Sequence, residues 1–147
     1  MANTVNLHRV LKAPVARVFK AFSSAQAKAT WLPPFGFICQ VHSYDFKVGG
    51  SYQMSFTNFT NDQTHAWSGK FTEIKTDETL VYKDKFDDPN LPGEMTVTVS
   101  FKKVMCGTEL SIKQEGIPDM IPAEMCYLGW QESLIKLAQL VEPEINQ

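Results

Sequence analysis

Apolar residues recur at two spacings along this chain, and the change between them divides it into three parts. Between residues 37 and 115 the spacing is two. Tyr52, Met54 and Phe56 alternate with Gln53, Ser55 and Thr57; Met95, Val97, Val99 and Phe101 with Thr96, Thr98, Ser100 and Lys102; Leu110, Ile112 and Gln114 with Glu109, Ser111, Lys113 and Glu115. Successive side chains of a strand point to opposite faces, so each run predicts a strand with one buried and one wet face. Residues 37–46, 65–74 and 80–86 predict further strands, separated by turns at Val48-Gly49-Gly50, at residues 75–78 and at Cys106-Gly107. Residues 3–11 predict another, with Val5, Leu7 and Leu11 on one side and Arg9 interrupting the alternation.

At the two ends the spacing is three and four, which lines one side of a helix. Tyr127, Trp130, Leu134, Leu137 and Val141 predict a helix over residues 122–141, ~30 Å long at 1.5 Å per residue. Pro122 suits its first turn, Glu124 its positive end, and Pro143 cannot continue it. Met125, Leu128 and Ile135 widen the apolar side, so a broad contact surface is expected. Gly129 costs about 1 kcal/mol relative to Ala there and is read as a point of close packing. After Pro14, residues Val15, Val18, Phe19 and Phe22 predict a short helix; Ser23 and Ser24 break it, a second ends near Trp31, and Pro33, Pro34 and Gly36 make a loop.

Six or seven strands joined by short connections must run antiparallel, since parallel neighbours need helical crossovers that are missing here. A twisted sheet with one apolar face needs a cover, and the C-terminal helix is the segment long enough. The predicted class is α+β: a strongly curved antiparallel sheet of six or seven strands wrapped around a long C-terminal helix, with two short helices after the first strand. A length of 147 residues predicts a single domain over 1–147 that needs no metal or disulfide for stability.

The formal charge of -2, with Lys and Arg scattered, supplies neither a stripe for phosphate backbones nor a polybasic lipid anchor, so neither nucleic acid nor membrane is expected as a partner. Cys39, Cys106 and Cys126 are odd in number and widely spaced, and the start lacks an apolar signal core; three free thiols in a cytoplasmic protein are expected.

Particular residues add to this pattern: Ala13-Pro14 with Val18-Phe19-Lys20-Ala21-Phe22, Trp31 before a Pro/Gly loop to Phe37, Asp45-Phe46-Lys47-Val48-Gly49-Gly50-Ser51-Tyr52, Trp67-Ser68-Gly69-Lys70-Phe71, Leu80-Val81-Tyr82, and Gly129-Trp130 with Leu134 and Leu137. In order and spacing they resemble the START-like helix-grip (SRPBCC) superfamily, also typified by the birch pollen allergen. Within it the chain is similar to the domains related to the activator of the heat-shock protein 90 ATPase. The resemblance covers nearly the whole chain and implies the helix-grip fold. It implies less about function, because the fold serves lipid carriers, polyketide cyclases and chaperone activators alike. The full co-chaperones carry a further N-terminal domain, whereas this chain opens on the helix-grip strand; the expectation therefore leans to the small-ligand binders, with an apolar cavity between sheet and long helix.

Catalytic motifs are missing: no CxxC, HExxH, GxSxG or GxxxxGK occurs. His42 and His65 are expected on strands separated by the strand of Tyr52, so no metal site and no cofactor are predicted. Asp84, Asp87, Asp88 and Glu94 surround a turn sequence and are expected to be solvated. An enzyme, such as a cyclase or hydrolase, would have only Tyr52, Tyr82, Tyr127, His65 and Asp84 as polar interior groups, and no catalytic residue is assigned. Cys39 and Cys126 are expected near the cavity as small hydrophobes. The positive signal is aromatic and sulfur-rich. Tyr52, Met54, Phe56, Trp67, Phe71, Tyr82, Met95, Phe101, Met120, Tyr127 and Trp130 are the predicted lining of a cavity for a small hydrophobic or aromatic molecule. Trp31, Phe35 and Met120 are its candidate rim, with Trp31 alternatively a staple between short helices and sheet; the mouth is expected among loops 30–37, 58–64, 87–93 and 117–122. A chaperone is the other candidate partner, and monomer and homodimer both stay open.

Overall fold

The computed structural model describes residues 3–147. Its elements run β1 (Asn3–Leu11), α1 (Val15–Ser23), α2 (Ala25–Trp31), β2 (Phe37–Tyr44), β3 (Ser51–Asn58), β4 (Thr64–Lys75), β5 (Thr79–Phe86), β6 (Met95–Val104), β7 (Gly107–Ile117) and α3 (Ala123–Val141). All neighbouring strands pair antiparallel in one sheet ordered β1-β7-β6-β5-β4-β3-β2. The chain is a meander from β2 to β7, and β1 joins its far edge. The seven-stranded curved sheet with a C-terminal helix is the helix-grip fold.

The short helices form where the sequence breaks and caps them. Ser24 ends α1 and caps α2, its hydroxyl accepting from the Ala27 amide at 3.2 Å. Trp31 is fully buried, and its indole N–H donates to the Ala21 carbonyl at 2.8 Å. It is therefore a staple and not part of a rim. Phe22 packs against Trp31 (centroids 4.7 Å apart) and edge-on against Phe101 (5.2 Å), and Phe19 also meets Phe101 at 5.2 Å. These contacts fasten the short helices to the apolar face of β6.

The long helix departs from the expectation in one respect. Its second half is buried through Ser133, Leu134, Leu137, Ala138 and Val141 and packs on β1, α1 and α2. In its first half Met125 (64% exposed), Leu128 (58%) and Tyr127 (40%) face outward, as does Ile135 in the second, so none of the four widens the contact with the sheet. The inward stripe there runs through Cys126, Gly129, Trp130 and Ser133, again at steps of three and four. Tyr127 had suggested a stripe one position off, because large apolar residues drew the reading away from the small ones that face inward.

Candidate ligand-binding cavity

Three of those inward residues, Cys126, Gly129 and Ser133, are too small to reach the sheet, and a cavity of about 210 Å³ remains between α3 and strands β3 to β7. That is somewhat larger than the ~150 Å³ that holds a benzene molecule in a protein core. Tyr52, Met54, Phe56, Trp67, Tyr82, Met95 and Trp130 line it, with Phe86, and with Leu32 and Pro34 from the loop after α2. The sheet contributes these side chains because its inward positions recur at period two on adjacent strands.

Four residues of the sequence-predicted lining stand elsewhere. Phe71 is buried between Tyr44, Phe46, Tyr52 and Tyr82. Phe101 belongs to the cluster under α1. Met120 and Tyr127 are exposed, as is Phe35, and none of the three lines the cavity. Cys126 does line it, while Cys39 packs partly buried against the core nearby. Loops 58–64, 87–93 and 117–122 contribute nothing to the lining.

The cavity also holds polar groups, and one was not anticipated. Lys28, on α2, is 2% exposed, and its side chain reaches into the cavity. Its ammonium lies 4.3 Å from the centroid of the Tyr82 ring and 5.8 to 5.9 Å from those of Tyr44, Tyr52 and Phe22, an aromatic cage. Among the described residues no hydrogen bond or ion pair reaches it. A charged residue buried without a partner runs against ordinary expectation, which is why composition passed it over. The available signal was its position three residues before Trp31, on the same side of α2.

Asp84 corrects a second expectation. Asp87, Asp88 and Glu94 are exposed as expected, but Asp84 lines the cavity and accepts a hydrogen bond from the Tyr52 hydroxyl. Burial pushes the Asp84 carboxyl up to about 6, although the Tyr52 hydrogen bond and the charge of Lys28 hold it back. Burial lowers the Lys28 ammonium to about 8, against the opposing pull of Asp84 and Cys39. Burial and the charge of Asp84 raise Tyr52, Tyr82 and Tyr44 well above the ordinary phenol value, so all three keep their protons.

The remaining polar groups are largely committed. The Trp130 indole donates to the Gln114 side-chain oxygen at 2.8 Å, and the Gln114 amide turns to Met95 Sδ at 3.3 Å. The Ser133 hydroxyl lies 2.5 Å from the Leu32 carbonyl and 3.0 Å from that of Gly129. Burial pushes the Cys39 thiol up to about 11 and raises Cys126 as well, so neither supplies a thiolate nucleophile at neutral pH. His42 and His65 lie on β2 and β4 with β3 between them; both are exposed, His42 shares a hydrogen bond with Ser55 at 3.0 Å, and His65 lines the cavity at its exposed side. Among the described residues no three His, Cys, Asp or Glu side chains are grouped to hold a metal ion, and no helix is long and apolar enough to cross a membrane.

The chain matches the family described as "Activator of Hsp90 ATPase homolog 1-like protein" over residues 12–142. Among solved structures, a protein from Chromobacterium violaceum is 53% identical, with 97% of this chain and 99% of that chain covered and a TM-score of 0.95. Proteins from Rhodobacter sphaeroides (18% identical, 95% of each chain covered, TM-score 0.82) and Nitrosomonas europaea (18%, 93% of this chain and 92% of that chain, 0.75) share the fold. No curated protein matches. With a family match over residues 12–142 and a relative at this level of identity, the chain belongs to the family of activator of Hsp90 ATPase homolog 1-like proteins.

Proposed function

We propose that the protein binds a small hydrophobic or aromatic molecule between its sheet and α3, without chemical conversion. The observation that carries this is the cavity: about 210 Å³ bounded mostly by aromatic and sulfur side chains, at the place where α3 turns three small residues, Cys126, Gly129 and Ser133, inward beside Trp130. A helix meant to close the core would put large residues there, and Met125, Tyr127 and Leu128 on the opposite side show that they were available in the sequence. The cavity suits a molecule of one or two rings. Native mass spectrometry of protein purified from its own cells, followed by denaturing extraction, tests the proposal. A stoichiometric apolar passenger is expected. An empty protein whose melting temperature no apolar probe raises would sink the reading.

A second reading has its own support. Phe35, Met120, Met125, Tyr127 and Leu128 are exposed apolar residues before and along the first half of α3, the kind of surface that docks on another protein. With the family's description, this favours a chaperone-interacting, ATPase-activating module. Adding the protein to the heat-shock protein 90 of its own cells and following ATP hydrolysis decides it: stimulation that Leu128→Glu abolishes supports the module, and an unchanged rate removes it.

A further inference from the structure

Resting on the ligand-binding reading, we propose that Lys28 is the polar anchor of the cavity and selects apolar ligands that carry one neutral carbonyl oxygen, such as an aryl ketone or aldehyde. Three observations converge on this class.

The first is the state of Lys28. An ammonium carries three N–H donors and no acceptor. Here it is 2% exposed, lines the cavity, and has no hydrogen-bond or ion-pair partner among the described residues. The aromatic cage, nearest at Tyr82, attracts its charge but accepts no directed hydrogen bond in the way an oxygen does. A buried charge left in this condition is expensive, and an oxygen delivered into the cavity would relieve it.

The second is what the other polar groups leave over. Tyr52 is spent on Asp84, Trp130 on Gln114, Gln114 on Met95, Ser133 on backbone carbonyls, and Tyr44 on the Phe22 carbonyl at 2.6 Å. The Tyr82 hydroxyl, like Lys28, has no hydrogen-bond partner among the described residues. Tyr82 can donate or accept, and Asp84 keeps a second carboxylate oxygen as an acceptor; Lys28 can only donate, and no acceptor reaches it.

The third is charge. Asp84 lines the same cavity and offsets Lys28. A ligand carboxylate would bring a second negative charge beside Asp84 into a mostly apolar cavity, whereas a carbonyl offers the acceptor without the charge.

Calorimetric titration with 2-ethylnaphthalene, 2-acetonaphthone and 2-naphthoate, three probes of nearly equal shape, tests the proposal on the wild-type chain and on Lys28→Met. The ketone is expected to bind the wild type about tenfold tighter than the hydrocarbon, and the preference is expected to shrink to about twofold or less in Lys28→Met. Equal binding of ketone and hydrocarbon, a ketone preference that survives in Lys28→Met, or tightest binding of the naphthoate overturns the anchor while leaving the ligand-binding reading in place. If none of the three binds, both fail together. Should Lys28→Met not fold, wild-type protein labelled with 13C-lysine supplies the answer: the Lys28 13Cε resonance is expected to move with the ketone and stay with the hydrocarbon, and the reverse overturns the proposal.

Discussion

Tyr52 on β3 hydrogen-bonds to Asp84 on β5 across a strand that carries no side chain at the crossing point. In the sheet register Tyr52 pairs with Gly69, and Gly69 pairs with Asp84, so the three occupy one row of one face. The ring of Tyr52 lies over Gly69, and a Cβ there would collide with the Tyr52 hydroxyl and with the Lys83 backbone carbonyl. Gly69 is thus what lets β3 reach β5, and the polar end of the cavity depends on it.

Gly69→Ala is accordingly expected to destabilise the protein by about 1–3 kcal/mol, the usual range for overpacking, which lowers Tm by several degrees at this chain length. Calorimetry checks it. Adding Tyr52→Phe removes the hydroxyl but leaves the ring carbon Cζ and the Lys83 carbonyl against the new Cβ, so the double variant should recover only part of the loss. An unchanged Tm in Gly69→Ala would contradict the close approach of Tyr52 to β4.

The carboxyl of Asp84 provides a pH signature. Its folded value, about 6, lies above the ordinary 3.8, so the folded protein binds the extra proton between those limits. The stability contributed by this group is fully present below about 3.8 and is lost as pH rises through about 6. Tyr52 and Lys28 both hold the value down, so Tyr52→Phe and Lys28→Met should each move the midpoint upward. Carboxyl 13C NMR of Asp84 reads it directly, and a downward shift in either variant would contradict the assigned causes. Lys28 behaves in the opposite sense: its folded value of about 8 lies below 10.5, so its contribution to stability rises as pH climbs between the two.

The strands were legible because each is a short period-two run between turn residues, and β1 was met residue for residue at Asn3–Leu11. The existence of α3 was equally plain, but its inward face was not. Cys126, Gly129 and Ser133 carry no hydrophobic signal strong enough to compete with Met125, Tyr127 and Leu128, although they stand at the right spacing. Polar residues of the cavity were harder still. Asp84 continues the inward series Leu80, Tyr82, Asp84, Phe86, yet the turn-rich DDPN that follows drew it into the loop. Lys28 sits on a short helix whose apolar face is too brief to define, and a charged residue is assigned to water unless a partner calls it inward. Cavities are where pattern and composition disagree, since a void is made by residues that do not fill it.

Gly129 puts that last point to a test. Close packing was the sequence-based expectation for a glycine in mid-helix, but a Cβ at Gly129 would meet only Pro34 Cγ, at 4.0 Å, which is ordinary contact. Gly129→Ala should therefore remove the helix penalty of about 1 kcal/mol and raise Tm by a few degrees. The added methyl enters the cavity, so affinity for a probe such as 2-acetonaphthone should fall while stability rises. Gly129→Leu sharpens the contrast, because a larger apolar side chain occupies the ligand's space and should leave a folded chain that no longer binds. Thermal denaturation and calorimetric titration of the two variants separate the possibilities. A protein stabilised by Gly129→Ala but weakened in binding marks the glycine as kept for the cavity, whereas a destabilised one marks it as a packing contact and removes the argument that α3 is built to leave room.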